Sequence, residues 1–404
     1  MSAINGKRII IVGAGPAGLA AAELLAQAGA SVVIHDRMPN PARKFLLAGR
    51  GGLNLTHSEP LDDFLARYGE ARTHLEPAIN AFTPAHLRAW CEGLEIETFV
   101  GSSGRVFPKQ MKASPLLRAW LTQLSALGVQ LVTRSCWTGW ADNALTFETP
   151  NGAKSETADA AVFALGGASW PRLGSDGSWT ALFAQRGAHV TPLRASNSGF
   201  LTNWSDIFRE KFAGQPIKSA RFSHNGVEAA GEAIVTRAGI EGGAIYALSS
   251  SLRDSIATSG AASLTIDFSP NFTEGELARK LASAPAGTST ANRLRRANIT
   301  PVAASLLRER VGGPALPASP ADLAAIIKAC TITLTGLASI ERAISTAGGI
   351  SWGSLNPDYS LKSDPLTFVA GEMLDWEAPT GGYLLQACFA TGRAAANGVI
   401  ARLS

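Results

Sequence analysis

The stretch Arg8-Ile-Ile-Ile-Val-Gly13-Ala14-Gly15-Pro16-Ala17-Gly18 constrains the fold of this chain more than any other. A β-branched run breaks into glycines at the spacing G-x-G-x-x-G and continues into helix-forming residues. That is the strand, turn and helix of a dinucleotide-binding unit. Gly13 permits the tight turn, Gly15 has no Cβ to keep a pyrophosphate from the backbone, and Gly18 lets helix and strand pack closely. Ala14, Pro16 and Ala17 complete the phosphate-facing turn, where the helix N-terminus offers free N–H groups. With 41 glycines in the chain, the motif needs a second constraint. The next strand supplies it by ending at Asp36, 18 residues after Gly18. A carboxylate there accepts hydrogen bonds from both hydroxyls of an adenosine ribose and repels a 2′-phosphate, and Arg37 stands beside it.

Lys7 and Arg8 before an apolar stretch also resemble the start of a signal peptide or membrane anchor. Glu23 and Gln27 interrupt that stretch, and it falls short of the ~20 apolar residues of a membrane span. A length of 404 residues allows a large core and two or three domains. The formal charge of +4 is small for such a chain and gives no argument for nucleic acid or membrane partners. Cys91, Cys136, Cys330 and Cys388 are widely separated, with no C-x-x-C pair for zinc or for a redox disulfide. Reduced thiols and a cytoplasmic location are the expectation, with no metal and no membrane partner.

Residues 8 to about 190 read as alternating strands and helices. Thr83-Pro84 and Ser114-Pro115 mark helix starts, each a hydroxyl N-cap followed by proline and then apolar residues at helical spacing. After about residue 193 the pattern changes to short alternating segments such as Ala220 to His224 and Ser263 to Phe268. Helices follow, opened by Thr273, Thr300-Pro301 and Ser319-Pro320. Glycine-rich α/β character returns near Ser345. The reading is therefore an α/β chain with a Rossmann-like domain over 1–193 and 345–404, interrupted by a β-rich insertion over 194–270 and a helical insertion over 271–344.

Three further clusters bear on chemistry. The strand from Ala158 ends in Ala164-Leu165-Gly166-Gly167, where a backbone can approach a bound ligand closely. Near the end, a strand leads to Gly371, Glu372 and Asp375, and then Gly381-Gly382-Tyr383 opens a long helix. Carboxylates can bond ribityl hydroxyls, and a helix N-terminus can stabilise negative charge on a reduced flavin. Between them lies Lys44-Phe-Leu-Leu-Ala-Gly-Arg50-Gly51-Gly52-Leu53-Asn54-Leu55-Thr56-His57. Its glycines admit a planar ring, and Lys44, Arg50, Asn54 and Thr56 surround it with charge and hydrogen-bonding groups. FAD is the cofactor that this set of clusters fits.

These motifs, together with Gly104 to Pro108, Thr236 to Gly243 and Thr346 to Gly349, resemble those of the BaiN-type bacterial NAD(P)/FAD-dependent oxidoreductases, in family order and over nearly the whole chain. Many members have Arg-Cys-Asn after the glycine run; here Leu53 stands at the cysteine position, which excludes cysteine chemistry at that loop. A Thr-His pair of the middle motif is Thr236-Arg237, and the serine of a following Ser-Gly is Glu241. Both changes are expected at the substrate, which marks a divergent branch.

The resemblance implies an enzyme that takes hydride from NAD(P)H and reduces an organic acceptor, an activated C=C bond. No second G-x-G-x-x-G appears, so the nicotinamide would bind only transiently. Arg50 is expected to support reduced flavin, with Arg105 and Arg237 as substrate contacts. Two other readings stay open. One is reduction of a uridine in ribosomal RNA, with Arg293, Arg295, Arg296, Lys109 and Lys112 available for phosphates; the other is a non-catalytic FAD-binding redox sensor.

Overall fold

The computed structural model describes residues 4–404. Ile9, Ile10 and Ile11 are fully buried, as expected of a strand covered on both faces of a parallel sheet. They belong to β1 (Arg8–Val12), followed by α1 (Pro16–Gln27) and β2 (Ser31–Asp36). Among the helices farther along are α2 (Pro84–Gly93) and α3 (Ala113–Ala126), and the next strands of the same sheet are β3 (Gln130–Thr133) and β4 (Ala160–Phe163). The C-terminal segment returns with β5 (Thr367–Val369) and α4 (Tyr383–Leu403). The five strands pair in parallel in the order β5-β4-β1-β2-β3. Strand order reverses between β1 and β4, and the crevice outside their carboxyl ends is where such sheets bind ligands.

The chain divides into two compact units, residues up to Arg194 with Ser345–Ser404, and Ala195–Ile344. In the second unit, seven antiparallel strands form one sheet. Its two ends, Cys330–Leu334 and Gly336–Leu337, are one continuous run, and the hydroxyl of Thr202 donates to the carbonyl of Thr333 at 2.7 Å beside the break. Phe222 and Leu264 of the strands share one buried cluster with Leu277, Leu307 and Leu323 of the helices. The β-rich and helical stretches thus build a common core rather than two separate insertions.

Helix starts follow local chemistry. Thr83 and Thr273 each form a reciprocal capping box, with His86 and Glu276 respectively, and Thr300 and Ser319 cap their helices through their hydroxyls. Helix α3 differs from expectation by beginning at Ala113, so that Ser114 lies inside it and caps nothing. Pro115 is tolerated there because first-turn N–H groups have no intrahelical partner.

Glu23, which interrupts the apolar stretch of α1, is buried. Its carboxylate accepts the indole N–H of Trp90 on α2 at 3.1 Å and of Trp120 on α3 at 2.8 Å. The two indoles meet edge to face at 4.8 Å, and both pack on Phe389 of α4. One acid therefore satisfies the only polar atoms of two core tryptophan side chains and ties α1 to both helices. Burial lowers the pKa of Arg393, and the charge of Glu23 works in the opposite direction. Glu23→Leu should cost about 3 kcal/mol in urea unfolding, because two buried donors lose their acceptor. Glu23→Gln, which keeps one acceptor, should cost about half as much. A loss below about 1 kcal/mol for the leucine variant would show that the network contributes little.

Candidate functional site

The turn after β1 carries three glycines with three different surroundings. Gly13 has φ +104°, and a Cβ there would run into the carbonyl of Ala164 at the end of β4. A Cβ on Gly18 would run into the carbonyl of Gly13. At Gly15 a Cβ would meet nothing within 4 Å. Two glycines are thus required by the protein itself, while the third keeps open space in front of the helix, where a pyrophosphate fits. Asp36 closes this end. Its Oδ2 accepts the Ala14 N–H and its Oδ1 the Met38 N–H, both at 2.8 Å. Burial raises the Asp36 pKa, and these two N–H groups work against that rise. Each oxygen keeps a lone pair for a ribose hydroxyl. Arg37 is paired with Asp176.

A cleft runs from this turn past Lys44 and Gly166 to Gly371, Glu372 and Cys388, and Pro16, Ala17, Ala164 and Leu165 also line it. Glu372 does not stand free for a ribityl chain. Its Oε2 accepts Lys44 Nζ at 2.7 Å and the Gly167 N–H at 3.4 Å, and its Oε1 accepts the Thr346 N–H at 2.9 Å. Lys44 also donates to Ser169 Oγ at 2.5 Å. A Cβ on Gly167 would overlap the Thr346 side chain, so its glycine serves protein packing before any ligand. Asp375 likewise accepts the Thr191 hydroxyl at 2.5 Å. Burial, with the charge of Glu372 adding to it, pushes the Cys388 thiol up to about 12, so it stays protonated and inert.

The loop after Lys44 begins as a short helix, Arg43–Ala48, and continues through a turn at Gly49–Gly51 that exposes Arg50. A Cβ on Gly51 would meet nothing within 4 Å, whereas one on Gly52 would lie 2.6 Å from the Met111 methyl. Leu53 and Leu55 are fully buried in the core. This corrects the expectation that the Leu53 substitution faces substrate; the side chain packs inward. Asn54 Oδ1 and Thr56 Oγ1, in contrast, are buried with no partner among the described residues. Orphaned acceptors and hydroxyls in such a place fit the polar edge of a bound ring system. Arg105 is exposed on the strand beside His57. Arg237 is also exposed, and it belongs to the second unit, as does Glu241 beside Gly199.

Helix α4 completes this end. Gly382 has φ +97°, and a Cβ there would sit 2.5 Å from the Thr56 backbone. Gly381 precedes it, and Tyr383 begins the helix. Cys388, five residues on, lines the cleft beside Gly371. His57, a tempting acid or base, has both ring nitrogens engaged. Its Nε2 donates to the Ser103 carbonyl at 2.9 Å, and its Nδ1 accepts the Glu59 N–H at 3.1 Å. Glu59, Arg67 and Tyr68 also gather here, and no local spacing in the sequence marks them.

The switch-point cleft, the glycine turn and the acid at Asp36 define a Rossmann-type FAD-binding flavoprotein oxidoreductase. The model of the HI0933-like protein Rossmann domain matches residues 7–398, and the chain belongs to that family. It is 26% identical over 400 residues to the 3-dehydro-bile acid delta(4,6)-reductase of Clostridium scindens, covering 95% of this chain and 97% of that protein. It is 27% identical over 266 residues to the ribosomal RNA dihydrouridine synthase of Escherichia coli, 60% of each chain. Among solved structures, the 3-ketosteroid delta1-dehydrogenase of Sterolibacterium denitrificans superposes with a TM-score of 0.52 at 12% identity, over 98% of this chain and 100% of that one. The quinol fumarate reductase of Escherichia coli gives 0.51 at 16%, over 98% and 70%. These two show likeness of fold.

The glycine surroundings lead to opposite outcomes for two small changes. Gly15→Ala should leave the stability of the apoprotein within about 1 kcal/mol of the parent, since its φ of −82° suits alanine, yet it should weaken FAD retention. Gly13→Ala should lower stability by about 2 kcal/mol or more, through strain and overlap with Ala164. Thermal melts of the stripped proteins and FAD content after gel filtration check both.

Proposed function

We propose that the protein is an FAD-dependent reductase that draws hydride from NAD(P)H and delivers it to an activated C=C bond of an organic acceptor. Bound FAD would supply the hydride relay between the two substrates. The reading is carried by one observation: a cleft lined by Gly15, where a Cβ would meet open space, and by the ribose acid Asp36 continues past Lys44 and Gly166 to Gly371 and Glu372. The full-length relationship to a bile acid reductase supports the C=C acceptor. Asp36 would hold the adenosine ribose, while Lys44, paired with Glu372, would shape the turn beside the ribityl chain. Arg50 would support negative charge on the cofactor, and Arg105 would contact the acceptor. The acceptor is a small molecule in this reading, and the enzyme works in the cytoplasm without a metal.

The relationship to an RNA dihydrouridine synthase favours a second reading, in which the acceptor is a uridine in RNA. Arg293, Arg295 and Arg296 lie on the short helix Thr290–Arg296, with Arg293 donating to the Ala318 carbonyl at 3.2 Å. Lys109 is paired with Glu97, which leaves it less available to a phosphate. Steep weakening of RNA binding with added salt would favour this acceptor, and no binding at low salt removes it.

Anaerobic titration of the FAD-loaded protein with NADH and then NADPH should bleach the visible flavin band with at least one of them. A yellow protein indifferent to both would overturn the nicotinamide donor and favour a sensing role. Asp36→Ala should lose FAD on dilution at least tenfold more readily than the parent, with acceptor preference unchanged. Equal retention would show that Asp36 does not hold the ribose.

A further inference from the structure

Helix α4 opens at Tyr383 with no side chain capping it, so its first N–H groups are available to a ligand. That opening turn is held by a network to which the reading above gives no role. The Tyr383 hydroxyl donates to Glu59 Oε1 at 2.6 Å, and Arg67 donates to Glu59 Oε2 at 2.8 Å. The Tyr68 hydroxyl donates to the Tyr383 carbonyl at 2.8 Å. The Glu59 N–H donates to His57, whose ring stacks near Tyr383 with centroids 5.7 Å apart. Tyr383 and Tyr68 are buried, and the Glu59 side chain is 11% exposed. The turn is therefore held at its side chain and at its carbonyl.

One observation besides the uncapped helix end points to a ligand at this turn. Thr56 is fully buried against Gly382, and its hydroxyl has no partner among the described residues. It suits a cofactor whose ring end reaches the start of α4.

We infer that Glu59 and Tyr383 are positioning residues that lock the opening turn of α4, so that its N–H groups are fixed toward the negative charge a flavin gains on reduction. The inference rests on the FAD reading. Fixed donors stabilise developing charge without having to reorganise, whereas a loosened turn loses part of that benefit. Burial works to raise the Glu59 pKa, but the hydrogen bonds from Arg67 and Tyr383 outweigh it and hold the carboxyl below its usual range, so Glu59 is ionised at neutral pH. Its charge alone would disfavour a reduced, anionic flavin. Positioning and bare charge therefore predict opposite signs when Glu59 is replaced.

The test is the two-electron reduction potential of the bound flavin, measured against reference dyes in the FAD-loaded full chain and in three variants. Tyr383→Phe and Glu59→Ala should each shift the equilibrium about tenfold toward oxidised flavin, which lowers the potential by about 30 mV for a two-electron couple. Glu59→Gln keeps an acceptor for Tyr383 and should stay within about twofold of the parent. Potentials that rise in both Glu59 variants would show that only charge matters, and four coincident potentials would show that the network has no influence on the flavin; either result overturns the inference. FAD content and melting temperature separate misfolding from both. A parent protein that takes up no FAD would sink the cofactor reading itself, whereas bound FAD with unshifted potentials sinks only the role of Glu59 and Tyr383.

Discussion

The carboxylate of Glu372 is the knot on which the cleft depends. With two oxygens it engages Lys44 from the loop after β2, Gly167 from the end of β4, and Thr346 from the strand that re-enters the first unit. These segments are far apart in sequence. Ionic and charge-assisted hydrogen bonds hold loops where burial cannot, and they are strongest when partly shielded from water. The side chains of Glu372 and Lys44 are 14% and 26% exposed, which places the pair in that regime. Replacing either would leave the other partly buried and unpaired, and that loss exceeds the net worth of the pair itself.

Much of the first unit was legible because its chemistry is local. The turn from β1 into α1 needs glycine at fixed offsets, and Asp36 follows at a distance set by one helix and one strand. Helix starts in both units, at Thr83 in the first and at Thr273, Thr300 and Ser319 in the second, were readable from a hydroxyl and the residues just after it. Where a residue's task depends on a distant partner, the reading was incomplete. Gly167 looked like a ligand contact, but the Thr346 side chain claims that space. Asp375 looked like a ribityl ligand, but it accepts a hydrogen bond from Thr191. Leu53 stood in a motif position that suggested substrate, yet alternation along the loop turns it inward with Leu55 and leaves Asn54 and Thr56 as the polar pair.

The second unit shows the same limit on a larger scale. Its strands and helices were recognisable singly, but nothing local says that helices after residue 271 cover a sheet formed largely before it. Shared burial of Phe222, Leu264, Leu307 and Leu323 makes the two stretches one body. In the first unit, Glu23 is a comparable case. A lone acid in an apolar helix argued against a membrane, and the structure adds its positive task of receiving two indole N–H groups that arrive from helices far along the chain.

The first unit is closed by residues from beyond the second, since β5 and α4 follow the return of the chain near Ser345. During synthesis, β1, β2 and β4 are complete while the edge strand, Glu372 and the helix carrying Cys388 have not yet been made. The nascent first unit therefore exposes one flank of its parallel sheet for the whole time in which the intervening 195–344 unit is translated and folds. Non-local closure of this kind makes assembly slow relative to helix formation. It also means that a chain interrupted in its last segment lacks one wall of the cofactor cleft, so cofactor retention reports that the polypeptide was finished as well as folded.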